Sequence, residues 1–339
     1  MRSSAAVSLL AALPTTWAWG QLGHATVAYM AQALVADETT TWAQKILADT
    51  SSDYMANIAS WADTYRYTSA GKWSEPFHFV DAQDSPPSNC NVDYERDCTE
   101  AGCIISAMAN YTRRVSEKSL AKLQKEYALR FIIHFVGDSH QPLHNEAYKL
   151  GGNEISVDYA GATVNFHAIW DTQIPEQINS DSSFSLSDAQ SWANELIQEV
   201  QTGVYSSQAS SWTSSVNVND VIDTVTAWSS EANALVCSSV VPNGWDAVQS
   251  GDLSEDYYNS VVPTVELQIA RAGVRLGAYL DQLSGAVAAP SKKESKMKRD
   301  LMSYSLDGRD FLPPSRPLTP AQKARRAADY ACGCNDHKH

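Results

Sequence analysis

Two copies of one spacing, His134-x3-Asp138 and His167-x3-Asp171, restrict this chain more than any other feature of its 339 residues. On a helix, positions four apart share a face with Cβ atoms about 5–6 Å apart, so an imidazole and a carboxylate can reach a common cation. One such pair alone is usually a hydrogen bond on a helix surface. Here it stands among further candidates: His24, His78, His140 and His144, with Asp63 and His78 set among aromatic residues in Trp61-Ala62-Asp63 and Phe77-His78-Phe79. His144 follows His134 by ten residues, beyond Gly137 and near Pro142, where a bend would present it from a different direction. Five histidines and three aspartates exceed what a single tetrahedral zinc requires. Imidazole mixed with carboxylate, without thiolate, is the donor set of catalytic rather than structural zinc. His140 is expected to be a polar turn residue on the surface near the site and not a ligand.

The rest of the chain reads as all-α. Ala25–Ala36, Ser119–Gly137, Asp188–Val200, Val218–Val236 and Tyr257–Leu283 carry apolar residues at intervals of three and four. Strand-like alternation is scarce, and Glu154–Val164 is the best candidate for a short β-hairpin. No domain boundary is evident between residues 19 and 284, which are expected to form a single helical domain. The tail, residues 285–339, carries eleven Lys/Arg against six Asp/Glu and four prolines between positions 313 and 320, a composition expected to be disordered or removed. Its Cys332, Cys334, His337 and His339 suggest at most adventitious metal binding.

At the other end, Arg2 precedes a short apolar run, Ala5 to Leu13, and Thr16 and Ala18 stand where a signal peptidase expects small residues. Residues 1–18 therefore read as a signal peptide. No later stretch approaches the ~20 apolar residues of a membrane span, so a secreted protein without an anchor is expected. Cysteine usage agrees: Cys98 and Cys103 suit a small local disulfide, which leaves Cys90 with Cys237 as a long-range one. Asn110-Tyr111-Thr112 is a glycosylation sequon. Cleavage after Ala18 would expose the amine of Trp19, which with the Trp19 carbonyl could chelate a metal beside His24.

Charge pulls against any polyanionic ligand. Without the tail and Arg2, residues 19–284 carry a formal net charge of −20, which should repel nucleic acid unless something local reverses the field.

Six ordered motifs together carry a specific resemblance: Trp19-Gly-x2-Gly-His24, Ser60-Trp-Ala-Asp63, His78-Phe-Val-Asp81, His134-Phe-x-Gly-Asp138, Gln141-Pro-Leu-His144 and His167-x2-Trp-Asp171. From Trp19 to about Leu283 the chain resembles the zinc-dependent single-strand nucleases of fungi and plants, the S1/P1 nuclease family, whose all-helical fold is shared with bacterial zinc phospholipases C. The resemblance implies three Zn2+ ions. One would be held by Asp63, His78, His134 and Asp138, and a second by His144, His167 and Asp171. The third would be held by Trp19, through amine and carbonyl, and His24, with Asp138 as a bridge. It implies a nucleobase pocket of Phe79, Asp81, Leu150, Gly151 and Asn153, with Phe79 stacking the base, and it places Arg66 near the scissile phosphate. Leu150 is bulkier than the valine expected there.

The implied activity is hydrolysis of single-stranded DNA and RNA by a metal-bridged hydroxide. The third zinc and Arg66 would stabilise the departing 3′ oxygen, giving 5′-phosphorylated products and 3′-nucleotidase activity. Asp63 and Arg66 would be the catalytic pair, and the enzyme would be a monomer with an acid optimum. Three metal ions add a local charge of +6, which answers the acidic body. A phospholipase C-like phosphodiesterase on the same fold, or a non-catalytic secreted metal-binding protein, are the rival expectations. The first would need an apolar cleft for acyl chains, and the second a missing ligand.

Overall fold

A computed structural model describes residues 19–180 and 184–290. The leader, residues 1–18, and nearly all of the tail lie outside the described residues. Among the described residues, twelve α-helices make the body. The first three are α1 (Gly20–Leu34), α2 (Asp37–Leu47) and α3 (Trp61–Tyr65). Then follow α4 (Tyr94–Asp97), α5 (Ile104–Ser116) and α6 (Lys122–His140). After the hairpin come α7 (Phe166–Ala168), α8 (Ile174–Ile178) and α9 (Leu186–Gln201). The last are α10 (Ala209–Trp212), α11 (Val221–Leu235) and α12 (Asp256–Ser284). No helix among the described residues is long and apolar enough to cross a membrane.

The hairpin is shorter than the sequence pattern suggests. Strands β1 (Ser156–Tyr159) and β2 (Ala162–Asn165) pair antiparallel with Val157 opposite Val164. The turn residues Ala160 and Gly161 both have positive φ, 51° and 78°, the conformation that matches the twist of paired strands. The Asp252 carboxylate accepts hydrogen bonds from both turn amides, at 3.0 and 2.8 Å.

Helix α1 lies against α12 and α9, and α5 packs along α6. Gly273 and Gly277, four apart on α12, face α1. A Cβ at Gly273 would lie 2.5 Å from the Met30 Cβ, so only glycine allows this spacing. Behind the histidines of α6, Phe131 and Phe135 pack in an aromatic layer with Trp61, Tyr65, Tyr111 and Tyr127. That layer makes the metal-facing side of α6 dry and rigid. Cys90–Cys237 and Cys98–Cys103 are both disulfide-bonded. The first ties the loop before α4 to the residues that follow α11.

Two helix boundaries differ from the sequence pattern with consequence. α1 begins at Gly20 rather than Ala25, because Trp19 takes a left-handed conformation (φ 49°) and buries its indole, whose Nε1 donates to the Gly137 carbonyl at 3.0 Å. α6 does not bend at Gly137 but runs on to His140, and the bend falls at Gln141-Pro142. Gly137 serves a close approach instead: a Cβ there would sit 2.7 Å from the His24 Nδ1.

His140 corrects an expectation. It is fully buried, not a surface residue. Its Nδ1 donates to the Val136 carbonyl (2.8 Å), and its Nε2 accepts from Arg275 (3.0 Å), whose guanidinium also pairs with Glu231 at 2.5 Å. Burial first, and Arg275 second, hold this imidazole neutral.

Candidate metal centre

The fold delivers eight side chains from seven segments to one buried region. α1 brings His24 and α3 brings Asp63. The 3-10 turn Lys72–His78 ends on His78. α6 carries His134 and Asp138, and the 3-10 turn Pro142–Asn145 carries His144. α7 brings His167, and the π turn Ile169–Gln173 that follows it brings Asp171, a wide winding often found at functional sites. None of the eight is more than 4% exposed. They form three groups with ligand atoms close enough for one ion each: Asp63, His78 and His134; His24, His134 and Asp138; and His144, His167 and Asp171.

Asp138 stands at the junction. Its Oδ2 lies 3.0 Å from His78 Nδ1 and 3.2 Å from His134 Nε2, while its Oδ1 lies 3.2 Å from His24 Nε2. Asp63 approaches the same imidazoles at 3.5 and 3.6 Å, too far for hydrogen bonds, and both its oxygens are buried without one. The His24 Nε2 and Asp138 Oδ1 are close, yet neither makes a hydrogen bond. Trp19, fully buried, lies at the start of α1, where a Cβ on Gly20 would be 2.8 Å from the Asp171 carbonyl oxygen. The Trp19 carbonyl accepts from the Gly23 amide at 2.8 Å and keeps its second lone pair.

Backbone carbonyls orient the rings. The Nδ1 of His134 donates to the Ala59 carbonyl, that of His144 to the His78 carbonyl and that of His167 to the Gly151 carbonyl, each at 2.7 Å. Each Nε2 is therefore a bare lone pair when the ring is neutral. The Nε2 atoms of His144 and His167 face each other at 3.1 Å, and Asp171 Oδ2 lies 3.1 Å from His167 Nε2. Two acceptors and a carboxylate converging in a buried space repel one another unless a cation sits among them. This donor set, all imidazole and carboxylate, fits a metal ion in each group.

The electrostatics are consistent with that reading. Burial pushes the His78 and His144 imidazoles down to about 4 and lowers His24, so these rings are neutral and able to ligate. Burial also opposes charge on His134, but Asp138 and Asp63 outweigh it and raise that ring to about 10. In the same cluster, burial opposes ionisation of Asp63 and Asp138, yet His134 prevails and holds both carboxyls below the usual range. The two carboxylates thus demand positive charge, which without metal comes as a proton on His134.

Gln141 has a role the sequence reading did not assign: its Nε2 donates to Asp171 Oδ1 at 2.6 Å. It stands in one of the six motifs, but its partner is thirty residues away. Gln141→Leu is expected to lower kcat/KM about 10–100-fold, with weaker binding of one metal equivalent, as loss of a hydrogen bond to a ligand typically does. Metal titration beside steady-state kinetics checks this.

The residues expected around a base fall less uniformly. Phe79 is 5% exposed, Leu150 and Gly151 are buried, and Asp81 and Asn153 are half-buried. Lys149, Leu150, Gly151 and Gly152 all have positive φ, a strained left-handed run that aims the Gly151 carbonyl at His167. Asn153 donates to the Leu150 carbonyl at 2.8 Å and so braces that loop. Arg66 is 8% exposed with its guanidinium 3.9 Å from Asp63. Asn110 of the sequon lies on α5 and is only 6% exposed, more enclosed than a sequon asparagine is expected to be.

A helical domain with three adjoining His/Asp groups and no thiolate among them is suited to a metal-dependent enzyme. Residues 19–285 match the family model described as S1/P1 Nuclease. Nuclease PA3 of Penicillium sp. is 54% identical over 271 residues, covering 80% of this chain and 100% of the relative. Nuclease P1 of Penicillium citrinum is likewise 54% identical over 271 residues, 80% of this chain and all of the relative. Nuclease S1 of Aspergillus oryzae is 48% identical over 281 residues, 83% of this chain and 96% of the relative. The chain belongs to the S1/P1 nuclease family, and it is a phosphodiester-hydrolysing nuclease.

Proposed function

We propose that this protein is a secreted, zinc-dependent endonuclease. It cuts single-stranded DNA and RNA to 5′-phosphorylated products and removes the 3′ phosphate of nucleotides. The facing lone pairs of His144 and His167, 3.1 Å apart beside Asp171, carry the metal part of this reading. Five imidazoles favour zinc over magnesium or calcium, which take oxygen ligands. Asp63, His78, His134 and Asp138 would hold one ion, and His144, His167 and Asp171 a second. The Trp19 amine and carbonyl with His24 would hold a third, bridged by Asp138. Bound zinc would supply an acidified water and positive charge for a phosphodiester.

The chain's own residues do the rest. Arg66 adds a fixed cation beside Asp63. The loop 149–153, with Phe79 and Asp81, would receive a base that has left the helix stack, which favours single strands. Residues 1–18 act as the leader, and their removal frees the Trp19 amine. Two disulfides suit an oxidising compartment. The mature domain, residues 19–284, acts as a monomer, and a glycan on Asn110 would have to leave through the narrow exposed edge of that side chain.

The decisive assay compares release of acid-soluble 5′-nucleotides from single-stranded DNA, from duplex DNA, and of phosphocholine from lecithin. Preferential release from the single strand supports the proposal; phosphocholine release without nucleotides would replace it with a phospholipase. Asp63→Asn should remove the nuclease activity, and full activity in that variant would refute the cluster. Intact mass and N-terminal sequencing of the secreted protein test cleavage after Ala18, tail removal and the glycan together.

Falling pH should strip the metals in order. An α-amine has an ordinary pKa of roughly 8, so the equivalent held through Trp19 meets proton competition first. Burial lowers the His144 imidazole and so works against protons there, and the equivalent at His144, His167 and Asp171 should be retained to lower pH than the one held through Trp19. Zinc analysis after dialysis at stepped pH checks this; complete loss near pH 6.5 would contradict it.

A further inference from the structure

At the opposite end of α6 from the metal centre lies a cavity of 580 Å³, bounded by α2, the α5–α6 turn and the end of α12. Trp42, Leu120 and Leu283 supply apolar surface, and Lys45, Lys122 and Lys125 surround it. No acidic side chain lines it, in a domain whose net charge is −20. None of these three lysines forms an ion pair among the described residues. Glu117, held below its ordinary value by two hydrogen bonds from Ser119 (2.9 and 2.8 Å) and then by Lys125, is half-buried and does not line the cavity.

Lys122 and Lys125 also lie in the first turn of α6, which has no acidic residue and no side-chain cap. The positive end of a helix disfavours cations, so this placement works against helix stability. A charge arrangement that costs stability, around a hollow of ligand size with an aromatic wall, marks a binding surface for an anion.

We propose that this cavity is a remote binding site for the nucleic-acid strand. The three lysines would contact backbone phosphates, and Trp42 would offer a face to a base. The reading rests on the nuclease activity and extends it to how long substrates are held. On α6, Lys125 and His134 are nine residues apart, about 14 Å along the axis and about half a turn around it, and Lys122 and Asp138 are about 24 Å apart along the axis and again on nearly opposite sides. A strand of several nucleotides passing around the end of the helix is needed to reach both sites, and a mononucleotide cannot. Long substrates would use both sites, and 3′-nucleotides only the metal centre.

The test uses the zinc-loaded enzyme with Lys45→Gln, Lys122→Gln and Lys125→Gln combined, all surface changes remote from the metal ligands. On long single-stranded DNA at low salt, KM is expected to rise roughly tenfold with kcat unchanged. The slope of log KM against log salt should fall by about 2, as expected for three lost phosphate contacts on a single strand. Kinetics on a 3′-mononucleotide should not change. Trp42→Leu should raise KM on long strands without altering the salt slope. Unchanged KM and slope in the triple variant would overturn the proposal, as would an equal loss on the mononucleotide. Loss of binding to phosphatidylserine vesicles with intact nuclease kinetics would overturn it in favour of a membrane surface. If the wild-type enzyme cut no single strand at all, the nuclease reading itself would fail, a result distinct from these.

Discussion

Asp138→Asn is expected to reduce hydrolysis at least about 1000-fold and to leave fewer than three zinc ions per chain. The size follows from geometry. One carboxylate addresses two groups of imidazoles, His78 and His134 through Oδ2 and His24 through Oδ1, all at 3.0–3.2 Å. An amide keeps the shape but presents an NH2 to one of those groups, and a donor cannot ligate a cation. The change also removes one of two negative charges that draw positive charge into a buried space. Losing correctly placed metal charge on a reacting phosphate is worth several kcal/mol, and each 1.36 kcal/mol is tenfold in rate. Metal content by atomic absorption and kcat/KM on single-stranded DNA measure the two effects. A variant with three zinc ions and near-normal turnover would remove Asp138 from its junction role.

Chelation should have the largest effect on stability. Stripping the protein with EDTA is expected to abolish activity and to lower Tm by on the order of 10 °C. Zinc should restore both, and magnesium neither. Five imidazoles and three carboxylates converge in an almost solvent-free region, where uncompensated carboxylates are costly. A ligand present at about 1000 times its Kd stabilises the fold by roughly 4 kcal/mol, and in a domain of this size each kcal/mol moves Tm by about 2–4 °C. The shift should exceed that of a single site because three groups share residues. Calorimetry of the loaded and stripped protein decides it: equal Tm values would mean that the groups bind no metal in the folded protein.

Much of this was legible in the residues. The two His-x3-Asp spacings, the helix periodicity and the cysteine count depend on neighbours a few positions apart, and local backbone geometry translates them directly. The His140 expectation failed because a buried partner, Arg275, lies 135 residues away, and no spacing rule announces it. Gln141 was visible as a motif residue, but its hydrogen bond to Asp171 crosses thirty positions. The carbonyls of Ala59, His78 and Gly151 that orient three imidazoles carry no signal at all, since every residue has one.

The sequence by itself determined which side chains can bind metal and which of them share a helical face. It also determined that the body is helical, because periodicity and donor chemistry are properties of residue type and order. Only the tertiary structure decided that two lone pairs meet at 3.1 Å, that Asp138 joins two groups, and that three lysines from two helices surround one cavity. Those facts depend on how helices far apart in the chain pack against each other, and that packing is set by the whole core at once.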